Sequence, residues 1–597
     1  MRRIDTRRSA LWAVVASLLV FTLVGAGTPG RKSETYKVEE TLADLAFVRQ
    51  SETQVEGIGL VIGLDGTGAN APPSTMRSDL VEEMRKAGVD HPEQWLERKD
   101  VSMVMVRGRI ASGVKAGDRF DVDIELPPGC ATTSLAGGHL LITQLRQVVN
   151  TPNQGLKKGA PLATAGGPMM IGSPEDASNP RKARVLGGGR VKSDVPFTMI
   201  VKEDRRSGRT VKLIEEIIRR RFHQSDGVNL QGMATGKTDS ILVLKVPKIY
   251  HHNQSRYFQL LQLLPVVQTT ELQADRLDKW AAELQDPKLA GRAALKLEGM
   301  GTIAASALQL GLNSKDPQVR FFAAESLAYL GNPAGVEVLA QTAIERKEFR
   351  NPALRALGAS DQAAALMKLR NLLSEADTEL RYGAFDTLRT ADPTDPFLGR
   401  VAVYDEPEEE EDDFALQIEK APFRRKAGRP EDPFALYIVD STGPPMVHIS
   451  RNIRQEIVIF GRDVKLLPPV VLGGGGSILL NAAETDLLVQ ISRVDSRTID
   501  GRESRLTTPL ELATVIRQVA QLGATYPEIV DILTAAYRQK NLPGPLIVDA
   551  IPIRTQAYDE AQLLGAAKKD DGVKKASAEE EPKKFRLFGR LRDRMKR

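Results

Sequence analysis

A chain of 597 residues is too long for a single hydrophobic core and must divide into several domains. Its 42 % apolar and 27 % charged residues are those of ordinary globular protein, while aromatics at 5 % leave little material for a base-stacking or sugar-stacking surface. Much of the net charge of +5 comes from Arg2, Arg3, Arg7 and Arg8 near the start. The body is therefore close to neutral, and bulk charge argues against nucleic-acid binding.

The basic stretch Met1 to Ser9 precedes an apolar run from Ala10 to Ala26, and Val24-Gly25-Ala26 offers the small residues that a signal peptidase needs. Residues 1–26 are therefore expected to be a cleaved export signal. A retained anchor is the alternative, because the run is near the lower limit for crossing a bilayer. Cys130 is the single cysteine, so no intrachain disulfide can form and stability must come from packing. With no obvious base beside it, Cys130 reads as a small semi-buried residue and not as a nucleophile.

From Thr41 to Thr270 short β-branched runs are punctuated by Gly and Pro. Strands are expected at Gly59–Leu64, Val101–Ile110, Arg119–Leu126 and Ile241–Val246. Helices are expected at Ser78–Ala87 and at Lys212–Arg221, where Ile214, Ile217, Ile218 and Phe222 recur at helical spacing. From Leu277 to Thr390 the texture turns to alanine- and leucine-rich helix with an internal repeat. Asp286-Pro287, Asp316-Pro317 and Ala376-Asp377 each open a unit: Asp to cap, Pro to suit a first turn, and Gly331-Asn332-Pro333 to end one helix before the next. This resembles HEAT-type repeats, helix pairs that stack because no single pair buries its own apolar face.

The acidic run Asp405–Asp413, followed by Arg424, Arg425 and Lys426, reads as a disordered linker. Beyond it, strands are expected at Ala435–Val439, Glu456–Phe460, Ile478–Leu480 and Leu487–Ile491. Helices Leu510–Leu522 and Tyr526–Gln539 follow, joined by Gly523-Ala524-Thr525. The charged tail ends in Lys583–Arg597, where Phe585, Phe588, Leu591 and Met595 share a helical stripe amid basic residues. Such a tail suits an anionic surface, or is a solubilising extension.

Several strings imitate chemical motifs and fail on spacing. Gly57-Ile58-Gly59 opens like a dinucleotide fingerprint, but Ile62 holds the third glycine's place and strand continues where a helix must begin. Gly236-Lys237-Thr238 echoes a phosphate-binding loop, but Gln231 stands where its first glycine belongs and a strand follows. Gly473–Gly476 reads as a turn between strands in preference to an anion cradle. The histidines His91, His139, His223, His251, His252 and His448 form no metal-ligating spacing with Glu. No catalytic, cofactor or metal residue is nominated.

The blocks flanking the helical stretch carry a resemblance. Gly57-Ile58-Gly59-Leu60-Val61-Ile62-Gly63-Leu64-Asp65-Gly66-Thr67-Gly68 is similar to the opening signature of flagellar P-ring proteins. Ser134-Leu135-Ala136-Gly137-Gly138-His139-Leu140-Leu141-Ile142-Thr143 resembles a second signature, with Gln144 where proline is usual. Ile459–Val464, Pro469-Val470-Val471, and Leu522-Gly523-Ala524-Thr525 with Ile529–Leu533 resemble the family's late strands and closing helix pair. The signature residues expected to matter structurally are Gly57, Gly59, Gly63, Asp65, Gly66, Gly68, Ser134, Leu135, Gly137, Gly138, Leu522, Gly523 and Ala524.

The fold class is then α+β: two mixed segments of the P-ring type flanking an α-helical HEAT-like insert. The expected division is signal 1–26, N-terminal part 27–275, repeats 276–395, linker 396–432, C-terminal part 433–555 and basic tail 556–597. The resemblance implies a non-enzymatic, cofactor-free subunit of a homo-oligomeric ring in the periplasm, at the peptidoglycan layer, serving as a bushing around the flagellar rod. Implied partners are further copies, the rod, the outer-membrane L-ring protein and a periplasmic assembly chaperone. Peptidoglycan or an anionic surface is the expected contact of the basic tail. The competing reading is a periplasmic adaptor that binds envelope partners outside the flagellum through its repeats.

Overall fold

The computed structural model describes residues 36–549, apart from 51, 87, 152–154, 173–178, 226–229, 404–433, 475–477 and 495–502. The export signal, residues 404–432 of the expected linker, the basic tail and the tip of the Gly473–Gly476 turn lie outside the described residues. Residues 396–403, expected as the start of the linker, are instead a short 3-10 turn at Pro396–Leu398 and a strand at Arg400–Val401 that pairs with Leu436 and Tyr437.

Helix α1 (Leu42–Leu45) leads into β1 (Ala46–Arg49), which joins a sheet formed much later in the chain. The next strands make a barrel. These are β2 (Thr53–Ile62), β3 (Val101–Ile110), β4 (Arg119–Glu125), β5 (His139–Thr151), β6 (Gly155–Pro168), β7 (Met170–Ile171) and β8 (Lys182–Val191). All pair antiparallel in the order β4-β3-β2-β5-β6-β8-β7, and β4 also pairs with β8, which closes the sheet on itself. Closure removes the open strand edges, and six strands leave an interior that side chains fill. Val55, Val61, Val106, Val122, Leu140, Leu145 and Val185 are among those that do. Helix α2 (Thr75–Lys86), with α3 (Pro92–Leu96), covers the outer face, setting Leu80, Val81 and Met84 against Leu60 and Met103.

A four-stranded antiparallel sheet follows, ordered β1-β9-β13-β12, from β9 (Phe197–Val201), β12 (Ala234–Gly236) and β13 (Ile241–Leu244), with a small β10–β11 hairpin (His223–Ser225, Leu230–Gly232) beside it. Lys237 lies in the β12–β13 turn, donating its N–H to Ile241; the phosphate-loop lookalike is thus a hairpin. Helix α4 (Gly208–Arg221) buries Ile214, Ile217 and Ile218 against this sheet region. Its Ser207 cap accepts the Thr210 N–H at 3.0 Å, and Arg219–Arg221 face the negative end of its dipole.

Helix α5 (Gln254–Leu263) begins a helical array: α6 (Thr270–Leu284), α7 (Ala290–Met300), α8 (Ala305–Gly311), α9 (Pro317–Tyr329), α10 (Val336–Glu345), α11 (Arg350–Ala359), α12 (Ala363–Leu372) and α13 (Thr378–Ala391). Each odd-numbered helix from α7 packs on its even-numbered predecessor and on the next odd-numbered one, so the helices form two layers. The odd layer is covered on nearly every side. In α9 every residue from Phe321 to Tyr329 is buried.

Asp316 and Asp377 cap α9 and α13, each accepting two backbone N–H groups. Asp286-Pro287 departs from expectation. It opens a turn that precedes α7 by three residues, Asp286 accepting the Lys288 N–H at 2.9 Å. Between the second and third Asp signals lies α11, which starts after Phe349 without a side-chain cap.

The C-terminal block has a mixed sheet ordered β14-β15-β17-β16-β22 (Arg400–Val401, Ala435–Val439, Glu456–Phe460, Met446–Ile449, Leu546–Val548). It also has an antiparallel meander of β18 (Val470–Gly474), β19 (Ile478–Ala482), β20 (Leu488–Val494) and β21 (Glu503–Pro509). Helices α14 (Leu512–Gln521) and α15 (Tyr526–Arg538) bury Val515, Ile516, Val519, Ile529 and Leu533 in the core shared with this meander.

One continuous apolar core runs from the β9/β13 sheet through the helices to Tyr437, Val458 and Phe460 of the mixed sheet. Its ends are held by buried ion pairs. At the first, Arg256 of α5 bonds Glu298 of α7 at 2.5 Å and Glu325 of α9 at 2.8 Å, with all three side chains at most 3 % exposed. Tyr250 donates to Glu298 at 2.7 Å, and the Arg256 guanidinium lies 4.8 Å from the Tyr329 ring centre. At the second, Arg389 of α13 pairs with Glu456 of β17, which also accepts from Tyr382 at 2.6 Å.

The buried pair at α5 leads to a prediction. Arg256→Met leaves two buried carboxylates without their cation and is expected to cost about 3–5 kcal/mol. Adding Glu298→Gln and Glu325→Gln is expected to restore much of the loss, because neutral amides need no counter-charge. Urea melts of the three proteins check both parts.

Candidate functional site

Two of the sequence signatures meet at one end of the barrel. Strand β2 sends Val55 and Val61 inward, and Gly57 and Gly59 occupy the same inward face between them. There β5 crosses very close, and its register against β2 shifts between Glu56 and Val61. A Cβ on Gly57 would sit 2.4 Å from the Gln144 carbonyl oxygen, and one on Gly59 would sit 2.5 Å from Thr143 Oγ1. Only glycine fits this approach.

The strand then ends, two residues short of the expected Leu64, because Gly63 takes a φ of 86°. Residues 64–67 form a tight turn, with Asp65 at φ 41° and Gly66 at φ 84°, closed by Thr67 N–H to the Leu64 carbonyl at 2.8 Å. Two successive left-handed residues make this a primed turn, which explains an Asp-Gly pair.

That turn docks on the second signature. Thr67 Oγ1 donates to the Ser134 carbonyl at 2.8 Å, Thr133 N–H donates to the Thr67 carbonyl at 3.0 Å, and Gly68 N–H reaches the Lys99 carbonyl at 2.8 Å. Leu135 is fully buried and bonds the Pro180 carbonyl. Gly137 has φ 69°, and Gly138 lies against Met169, Val61 and Leu64.

Beside these residues Thr132 Oγ1 is 2.7 Å from Ser102 Oγ and 3.3 Å from Cys130 Sγ. Arg181 donates to the carbonyls of Thr132 and Cys130 at 2.7 and 3.0 Å. The side-chain partners of the thiol are neutral hydroxyls, and the arginine is spent on main chain. This arrangement can hold two loops together; it offers no base to activate a nucleophile.

Leu522, Gly523 and Ala524 are not part of this cluster. They close α14: Gly523 at φ 86° donates to Ala520, and Ala524 N–H reaches back to the Val519 carbonyl at 3.3 Å. That is a Schellman cap. Arg493 of β20 donates to the Leu522 carbonyl, and Thr525 N–H bonds Glu528 at 2.7 Å to start α15. The C-terminal block nevertheless touches the barrel directly. Gln455 Nε2 donates to the Leu186 carbonyl at 2.8 Å and Arg451 to the Ile171 carbonyl at 3.2 Å, while Met170 and Leu186 enter its apolar core.

Sequence reasoning overlooked the groups at the second buried pair. His448 of β16 is fully buried, with its ring 3.4 Å from that of Tyr382. Burial, and then the nearby Arg389 charge, push its pKa down to about 3. Burial pushes the Glu456 carboxyl up, opposed by Arg389. The available signal was a His inside the apolar run Met446–Ile449, and likewise a Glu following Phe321–Ala324. Among the described residues no group of three or more His, Cys, Asp or Glu is placed to hold a metal ion.

Residues 41–274 match the family model for the flagellar P-ring protein. The matched residues make up less than half of the chain. Among the curated flagellar P-ring proteins similar to this chain, that of Albidiferax ferrireducens is 28 % identical over 232 residues, 37 % of this chain and 58 % of the relative. That of Aquifex aeolicus is 30 % identical over 207 residues, 32 % of this chain and 52 % of the relative. That of Thermotoga petrophila is 35 % identical over 175 residues, 28 % of this chain and 49 % of the relative. The chain thus spans about half the length of the curated relatives it matches. The matched segment contains the barrel, the four-stranded sheet and α5. Within it Gly57, Gly59 and Gly138 sit where a Cβ would clash, while Gly63, Gly66 and Gly137 take left-handed backbone.

Two substitutions separate packing from turn geometry. Gly57→Ala is expected to lower stability by about 1–3 kcal/mol, because a backbone carbonyl blocks the new methyl. Gly66→Asn is expected to cost under about 1 kcal/mol, since nothing lies within 4 Å of its Cβ position and Asn tolerates the left-handed region. Thermal melts of both check the contrast.

For His448, a folded pKa held below the ordinary value means that the unfolded chain binds the extra proton. Its contribution to stability is therefore full above about 6.5 and lost as the pH falls toward about 3. His448→Phe keeps the stacking and removes the titration. It is expected to flatten the acid side of the stability–pH curve by up to about 1.4 kcal/mol per pH unit, measured by denaturant midpoints from pH 7 to 4.

Proposed function

We propose that this chain is an exported structural subunit of the ring that surrounds the flagellar rod in the periplasm, a non-enzymatic bushing built from many copies. The observation that carries this is the P-ring family match of residues 41–274. The direct seat of the 451–455 turn on β7 and β8 supports a second step. In that step residues 433–555 supply the family's closing part, and residues 276–395 are an insertion between the two.

A ring requires heterologous contacts that close on themselves. Its partners in this reading are neighbouring copies, the rod, the L-ring protein and a periplasmic assembly chaperone, with the basic tail facing peptidoglycan or another anionic surface. Export rests on the basic and apolar residues 1–26. No helix among the described residues is long and apolar enough to cross a membrane.

Electron microscopy of purified basal bodies tests the proposal. Deleting the gene is expected to remove the ring around the rod at the level of the peptidoglycan, and an epitope-tagged chain is expected to label it. Intact rings that lack the tagged chain would overturn the reading in favour of an envelope adaptor.

A further inference from the structure

Where the matched segment gives way to the helical array, α4, α5, α6 and α7 enclose a cleft of about 250 Å³. Four of its lining residues are cations, Arg220, Arg221, Arg276 and Lys296, and none of the described residues lining it is an acid. Two of these cations are matched elsewhere: Arg220 by Glu216 at 3.0 Å and Lys296 by Glu283 at 3.0 Å. The other two have main-chain partners. Arg221 donates to the Glu298 carbonyl at 3.0 Å, and Arg276 donates to the carbonyls of Val267 and Val38 at 2.7 and 2.6 Å.

Carbonyl dipoles hold these guanidinium groups in place without cancelling their charge, and burial without a neutralising acid pushes the Arg276 pKa down. The N-terminal end of α6, at Thr269 and Thr270, also borders the cleft and adds the positive end of a helix dipole. The rest of the wall is mostly apolar, with Gln268 and Gln273 as its neutral polar members. Trp280 carries the Lys296 ammonium 5.4 Å from its ring centre, and Met300 stands nearby in the lining.

A concave site with apolar walls and a few convergent charges of one sign selects its ligand by shape and charge together. We propose that this cleft binds a small amphiphilic carboxylate, its anion held by Arg221 and Arg276 and its apolar body lying against Trp280 and Met300. The volume sets the size. Benzene fills a cavity of about 150 Å³, so a single ring with a short acidic chain fits here and a lipid with full acyl tails does not. The site needs both the P-ring segment, which supplies α4 and α5, and the helices beyond it, which supply most of α6 and all of α7. It therefore stands independently of whether the chain forms a ring.

The test uses the exported full chain and two probes of equal shape, 3-phenylpropionate and its neutral amide, 3-phenylpropanamide. Calorimetry measures affinity, and Trp280 emission, read against Trp280→Phe as the blank, reports location. The expected result is saturable binding of the acid, with a change in Trp280 emission. The amide should bind at least about tenfold more weakly, and Arg276→Gln should weaken the acid by about tenfold. Equal affinity for acid and amide, saturation without a Trp280 response, or no saturable binding at millimolar acid would each overturn the proposal. The comparison of the two probes on the unaltered chain decides the matter even if Arg276→Gln does not fold.

Discussion

The constraint on which the rest of the structure depends is the buried pairing of Arg256 with Glu298 and Glu325. Three charged side chains out of water are tolerable only when their geometry and hydrogen bonds compensate for lost hydration. Here one guanidinium bridges two helices of the array from a helix of the matched segment; it also donates to Ser326, while Tyr250 donates to Glu298. Any rotation of the array about α5 would break charged contacts in an apolar interior. Apolar packing alone would resist such a rotation far less, because it is non-directional. The pairing therefore sets how the helices sit on the segment that precedes them.

The same device recurs at the far end, where Arg389, Glu456 and Tyr382 lock α13 to the mixed sheet, while Arg381 donates to the Pro444 carbonyl at 2.7 Å. Between these ends the odd-numbered helices are buried on nearly every side, which requires neighbours on both faces. The array thus links two sheets and shares one core with both. With the 451–455 turn resting on the barrel, the three parts form a closed circuit of contacts. In such a circuit no part can swing on a single connection.

The barrel shows why the P-ring signature is rich in glycine. The β2–β5 crossing at Gly57 and Gly59 leaves no space for a Cβ, and the turn after β2 places Asp65 and Gly66 in left-handed backbone. These needs are local and steric, so they leave a local, readable trace in the residues. The hairpin of β5 and β6 left a weaker one. Its segment Gly155–Pro168 is dense in glycine, lysine and proline, residues that disfavour strands in isolation, and it is extended because the closed barrel pairs it on both sides.

Patterns of short range were legible from the residues alone. Strands such as Val101–Ile110 and Glu456–Phe460, the Asp caps at Asp316 and Asp377, the Gly523 helix stop and the α+β class all follow from propensity, capping and periodicity. These act within a few residues of chain. What only the tertiary structure decided joins residues far apart. It brought Thr67 to Ser134, Arg256 to Glu298 and Glu325, Arg389 to Glu456, His448 to Tyr382, and four cations to one cleft. Such pairings depend on which faces the fold brings together, and the partner of a buried charge is chosen by packing across the core, which no local pattern encodes.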